Sequence, residues 1–62
     1  MSNFFSVMID GVMTNLEKNR IIAIEPSAVG TKIIMEASHT EEEPIIYILK
    51  EEYEDVVKSY SS

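Results

Sequence analysis

Short runs of β-branched and aromatic residues fill the first fifty positions, and the connections between them are too short to hold a crossover helix. A strand that returns through a tight turn must lie antiparallel to the strand before it. The spacing therefore restricts this part of the chain to hairpins laid side by side. Phe4 to Ile9 is the first run, with Phe5, Val7 and Ile9 on one face at period two. Asp10-Gly11 suits the positive φ angles of a type I′ turn, and Val12 to Leu16 returns with Val12, Thr14 and Leu16 on one side. Glu17-Lys18-Asn19-Arg20 makes the next connection.

Arg20 to Glu25 carries Ile21, Ile22, Ala23 and Ile24, apolar on both faces, as in a central strand or one covered from both sides. Pro26-Ser27-Ala28-Val29-Gly30 breaks that run, because Pro26 has no ladder donor and Gly30 supplies a permissive turn position. From Thr31 to Ala37, Ile33 and Met35 face one way and Lys32 and Glu36 the other, with Ile34 the apolar exception on the outer side. After the polar loop Ser38–Glu43, the run Ile45–Leu49 is again apolar on both faces.

Beyond Lys50 the period changes. Tyr53, Val56, Val57 and Tyr60 fall at i, i+3, i+4 and i+7, one stripe of a helix. Glu51, Glu52, Glu54 and Asp55 crowd its start, where carboxylates meet the positive end of the helix dipole, and Lys58 lies toward the negative end. Ser59–Ser62 is expected to fray. The expected fold is α+β, in one small domain over residues 1–62: an antiparallel β-meander of four to five strands with one C-terminal amphipathic helix. Strands are expected at about 4–9, 12–16, 20–25, 31–37 and 45–49, and the helix at about 51–60. One short helix covers one face of such a sheet. Either the sheet curls into a partial barrel, or a second chain covers the remaining face. Ile21, Ala23, Ile46 and Ile48 are the candidate apolar interface on that face.

A chain of 62 residues buries a modest fraction of its surface, so small domains often add disulfides, a metal or a partner subunit. Without cysteine, neither a disulfide nor a thiolate metal site can form, which leaves oligomerisation and is compatible with a reducing cytoplasm. The net charge of −6 comes from eleven acids against five bases, with eight of the acids from Glu36 onward. The bases, Lys18, Arg20, Lys32, Lys50 and Lys58, form no run, which disfavours direct binding to a phosphate backbone. The N-terminal residues lack the pattern of a signal peptide, and the apolar runs fall far short of the ~20 residues that span a bilayer. The expectation is a soluble, cytoplasmic protein with no membrane insertion.

Catalytic chemistry needs a nucleophile beside a base, a carboxylate pair in a cleft, or a metal cluster. The sole histidine, His39, lies in a polar loop, and no serine stands in a nucleophile-elbow setting. Glu41-Glu42-Glu43 lacks the alternating ligands and glycine of a calcium loop, and Gly11 and Gly30 are isolated, so no phosphate cradle is expected. The aromatics Phe4, Phe5, Tyr47, Tyr53 and Tyr60 lack an accompanying basic groove and read as packing residues. No enzyme, cofactor or metal is expected; the expected partner is another protein, with a second copy of the chain among the candidates.

Several segments resemble the small flagellar FlbD-type proteins. Asp10-Gly11 stands at the position of that family's first turn, Leu16 closes the return strand, and Ile21, Ile24 and Glu25 fall at matching spacing. Thr31-Lys32-Ile33 is similar to a Thr-rich strand, Tyr47-Ile48-Leu49-Lys50-Glu51 to the strand-to-helix passage, and Glu54-Asp55-Val56-Val57 to the helix. The chain departs from the pattern at Glu17 and Glu52 and in the longer, more acidic loop Ser38–Pro44. The resemblance implies a non-enzymatic accessory protein of bacterial motility that acts through protein–protein contact. A second reading starts from charge: Glu41, Glu42, Glu43, Glu51, Glu54 and Asp55 form an acidic face that a small phage or mobile-element protein could set against a host nucleic-acid-binding protein.

Overall fold

The computed structural model describes residues 3–37 and 42–62. His39 and Glu41 lie outside the described residues, together with Ser38 and Thr40 of the loop between the fourth and fifth strands. Among the described residues, five antiparallel strands precede one helix: β1 (Phe4–Ile9), β2 (Val12–Glu17), β3 (Ile21–Pro26), β4 (Thr31–Met35), β5 (Ile45–Leu49) and α1 (Tyr53–Ser61). These strands form two sheets, a β1–β2 hairpin and a three-stranded β3–β4–β5 sheet, and do not close into a barrel.

The first hairpin follows from its turn. Asp10 and Gly11 adopt φ of 50° and 80°, the backbone that a two-residue type I′ connection requires. Ile9 consequently pairs with Val12, Val7 with Thr14 and Phe5 with Leu16. That register puts Phe5, Val7 and Leu16 in the core.

The second connection behaves differently from a hairpin. Lys18–Arg20 forms a single 3-10 turn, and β3 leaves it to pair with β4 rather than with β2. The polar composition that suits a hairpin loop suits this turn equally well, so the division between sheets falls where a continuous meander was expected. A second departure lies inside β3. A bulge falls between Ile21 and Ala23, so Ile21 pairs with Met35 while Ala23 pairs with Ile34, the very next residue of β4. An extra residue on one strand breaks the period-two alternation. Ile21 and Ala23 therefore do not share a face: Ile21 packs against the core, and Ile22 stands exposed at the bulge.

The core is built by Phe5, Val7, Leu16, Ile33, Met35, Leu49 and Val56, with Ile9, Ile21, Ile24, Tyr47 and Tyr60 packed around it. The helix lies against β1 and β3, so Val56 closes the space between hairpin and sheet. Tyr60 meets Phe5 edge to face, ring centroids 5.6 Å apart at 76°. Lys18 stands 5.8 Å from the Tyr60 ring centroid and donates to the Ser62 carbonyl at 3.0 Å. The Ser62 hydroxyl donates to the Lys58 carbonyl at 2.9 Å. These contacts hold the last turn in place, so the helix continues to Ser61 where fraying was expected.

At its other end α1 starts at Tyr53. Glu54 and Asp55 occupy the first turn, Glu52 is the N-cap in extended conformation, and Glu51 lies before the helix. Glu51 meets a distant part of the chain. Thr31, fully buried on β4, donates from Oγ1 to the Glu51 carbonyl at 2.7 Å. Gly30 lies directly beside this bond. A Cβ added there would sit 2.5 Å from the Leu49 carbonyl oxygen, 2.7 Å from that of Glu51 and 2.8 Å from the carbonyl carbon of Lys50. Glycine at 30 is thus required by the passage of the β5–α1 backbone. Pro26, which lacks an N–H, is accommodated at the end of β3 on the edge of its sheet.

Candidate protein-docking face

Strand register determines which side chains point away from the core. In the β3–β4–β5 sheet, Ile24, Ile33 and Tyr47 lie in one cross-strand row and pack inward. The neighbouring rows point outward. Ala23, Ile34 and Ile46 form one of them, and Glu25, Lys32 and Ile48 the next. Ile46 is 54% exposed and Ile48 50%, while Ala23 and Ile34 are half-buried. Exposed apolar residues scattered singly are ordinary on a folded chain, whereas these lie together on one sheet face.

The charges on this face differ from those of the whole protein. The three strands hold one acid, Glu25, and one base, Lys32. They are cross-strand partners with Lys32 Nζ 4.0 Å from Glu25 Oε1, and both side chains remain open to solvent. Such an exposed pair contributes little to stability. Its importance is positional: a chain of net charge −6 presents a face whose ladder residues sum to zero.

Of the four candidate interface residues, the structure brings Ala23, Ile46 and Ile48 together on the outer face. Ile21 is separated from them by the bulge. Ile34 belongs at the centre of the patch, between Ala23 and Ile46. Its signal in the sequence is its position as the one apolar outward residue of a strand whose other outward residue is Lys32. Met8, 43% exposed, extends the apolar area toward the hairpin, where it lines a shallow hollow of about 280 Å³ with Asp10, Gly11, Ile48, Lys50 and Glu51.

The acidic candidates are more dispersed. Glu42, Glu43, Glu54 and Asp55 are exposed, Glu51 is half-buried with its carbonyl bound by Thr31, and Glu41 lies outside the described residues. Glu54 and Asp55 share the first turn of α1, whereas Glu42 and Glu43 precede β5 at the opposite end of that strand. Among the described residues, no group of three or more His, Cys, Asp or Glu could hold a metal ion. A second hollow of about 220 Å³ opens between the hairpin and the sheet, with Phe4, Leu16, Arg20, Met35, Glu36 and Tyr47 on its walls. Its charged residues are partly engaged in joining strands: Arg20 Nη2 donates to the Glu36 carbonyl at 3.3 Å, and the Glu36 amide donates to the Arg20 carbonyl at 2.8 Å. No helix among the described residues is long and apolar enough to cross a membrane.

No protein-family model, curated protein sequence or solved structure matches the chain.

Proposed function

We propose that this chain is a non-enzymatic protein–protein interaction module that docks through the outer face of the β3–β4–β5 sheet. The observation that carries the reading is the pair of adjacent outward rows, Ala23–Ile34–Ile46 and Glu25–Lys32–Ile48, apolar at four of their positions and left uncovered by the single helix. Burial of such a face drives association through the hydrophobic effect, with the single charged pair fixing orientation. The FlbD-type resemblance supports a cytoplasmic accessory role in bacterial motility, in which contact with another protein is the activity.

The test is the double substitution Ile46→Glu, Ile48→Glu. Both side chains are half or more exposed, so the melting temperature should move by only a few degrees. Cross-linking in the native cell should then lose the wild-type adducts, and those adducts should persist in high salt when the wild-type chain is used. The reading is overturned if the adducts survive the isoleucine changes and vanish instead with Glu54→Lys, Asp55→Lys. That outcome would favour the acidic surface and a basic partner.

A further inference from the structure

We propose that the occupant of the outer sheet face is the same face of a second copy of this chain, packed about a two-fold axis that sets Lys32 of each copy against Glu25 of the other. The inference rests on the docking-face reading and adds the identity of the partner.

Charge carries the choice. A basic partner would find no acid excess among the ladder residues of this face, and an acidic partner no excess of base, since Glu25 and Lys32 balance. The face calls for an apolar surface bearing one matched pair of opposite charges. The chain itself presents such a surface. In a two-fold interface each contact occurs twice with the roles exchanged, so a patch holding one acid and one base side by side is complementary to itself. Lys32 and Glu25 are cross-strand neighbours at 4.0 Å with both side chains solvent-accessible, so each retains the capacity to meet a second opposite charge. The remaining acids stand off these strands, and at physiological ionic strength their repulsion across the dimer is screened over about 8 Å.

The core points the same way. It has no disulfide or thiolate metal ligand to supplement it, and covering this sheet face would add to the buried apolar area. With Met8 at its margin, the paired faces would bury on the order of 1,000 Å² in total, the size of a weak, transient interface. Association in the micromolar range is expected.

Sedimentation equilibrium across micromolar to millimolar concentration reads the outcome directly. The wild-type mass should rise from 7.0 kDa toward twice that value. Ile46→Lys should stay at the monomer mass with an unchanged far-ultraviolet circular dichroism spectrum. Lys32→Glu and Glu25→Lys should each weaken self-association at least tenfold, and an equimolar mixture of the two should recover the dimer mass, because each supplies the charge the other lacks. The Lys32→Glu and Glu25→Lys pair keeps the test available if Ile46→Lys fails to fold. A wild-type monomer at millimolar concentration overturns the proposal, as does a dimer indifferent to Ile46→Lys and to the charge changes. If the wild type is a monomer while Ile46→Glu, Ile48→Glu still abolishes cross-linking to a different protein, the second copy falls and the docking face stands. If neither measurement responds to the face, both fall.

Discussion

Gly30→Ala adds one methyl group at the most constrained point of the backbone. The new Cβ would lie 2.5 Å from the Leu49 carbonyl oxygen and 2.7 Å from that of Glu51, well inside van der Waals contact. None of the three nearest atoms belongs to a side chain, so no rotamer change relieves the clash. The β5–α1 passage must retreat by somewhat less than 1 Å, and overpacking of that kind costs about 1–3 kcal/mol. The retreat also stretches the 2.7 Å bond from Thr31 Oγ1 to the Glu51 carbonyl, which exposes a buried hydroxyl to a further loss of about 1–3 kcal/mol. Alanine also restricts the unfolded chain, worth about 0.4–1 kcal/mol only where the native backbone suits it; at φ of 156° that gain is cancelled by strain. The net loss is about 3 kcal/mol, a large part of the stability available to a chain of this length, roughly 3–9 kcal/mol.

Urea unfolding followed by circular dichroism measures this loss as a fall in the midpoint at constant slope. Thr31→Val removes the same hydrogen bond without the clash and should cost about 1–2 kcal/mol. Because both changes act on the Glu51 carbonyl, the double variant should lose less than the two single losses combined, by about 0.5 kcal/mol or more. A Gly30→Ala loss below about 1 kcal/mol, or strict additivity with Thr31→Val, would refute the close-approach reasoning.

Three further outcomes follow from the packing and from the first turn. Val56→Ala, which empties the one fully buried position on α1, should cost about 2 kcal/mol in the same urea experiment. Gly11→Ala should cost about 1 kcal/mol, because φ of 80° strains an L-residue while the added methyl meets no atom within 4 Å; the urea midpoint should drop accordingly, with little change on Asp10→Asn, since asparagine also tolerates φ of 50°.

Alternation was the informative signal wherever a strand had distinct faces. Phe5 and Val7 on β1 and Ile33 and Met35 on β4 all occupy the side that their spacing indicates; of the helical stripe, Val56 is buried and Tyr60 packs against the core, while Tyr53 stays exposed. The reading failed where alternation was absent. Ile21-Ile22-Ala23-Ile24 is apolar throughout, so nothing local fixes which of its residues pair outward, and the bulge that separates Ile21 from Ala23 left no trace. The outer apolar face was therefore legible at Ala23, Ile46 and Ile48, while Ile21 lies on the inner side. The helix start was misplaced for another reason. Glu51 and Glu52 suit the first turn by charge, but Thr31, twenty residues earlier, holds the Glu51 carbonyl, and a constraint of that range is invisible to local pattern. Lys18–Arg20 likewise has a composition that a hairpin loop and a 3-10 turn share.

The division at Lys18–Arg20 bears on how the chain comes apart. No ladder among the described residues joins the β1–β2 hairpin to the β3–β4–β5 sheet. The hairpin's cross-strand backbone bonds are made within itself, so releasing it exposes Phe5, Val7 and Leu16 while breaking no inter-sheet ladder. Sub-global opening units are set by such boundaries, where side-chain packing alone resists separation. The hairpin is thus a unit that can separate from the sheet without breaking a strand ladder, tethered at the 3-10 turn. A hairpin that detaches whole can also return to the sheet of a neighbouring molecule, which makes this turn the hinge at which the fold is open to domain swapping.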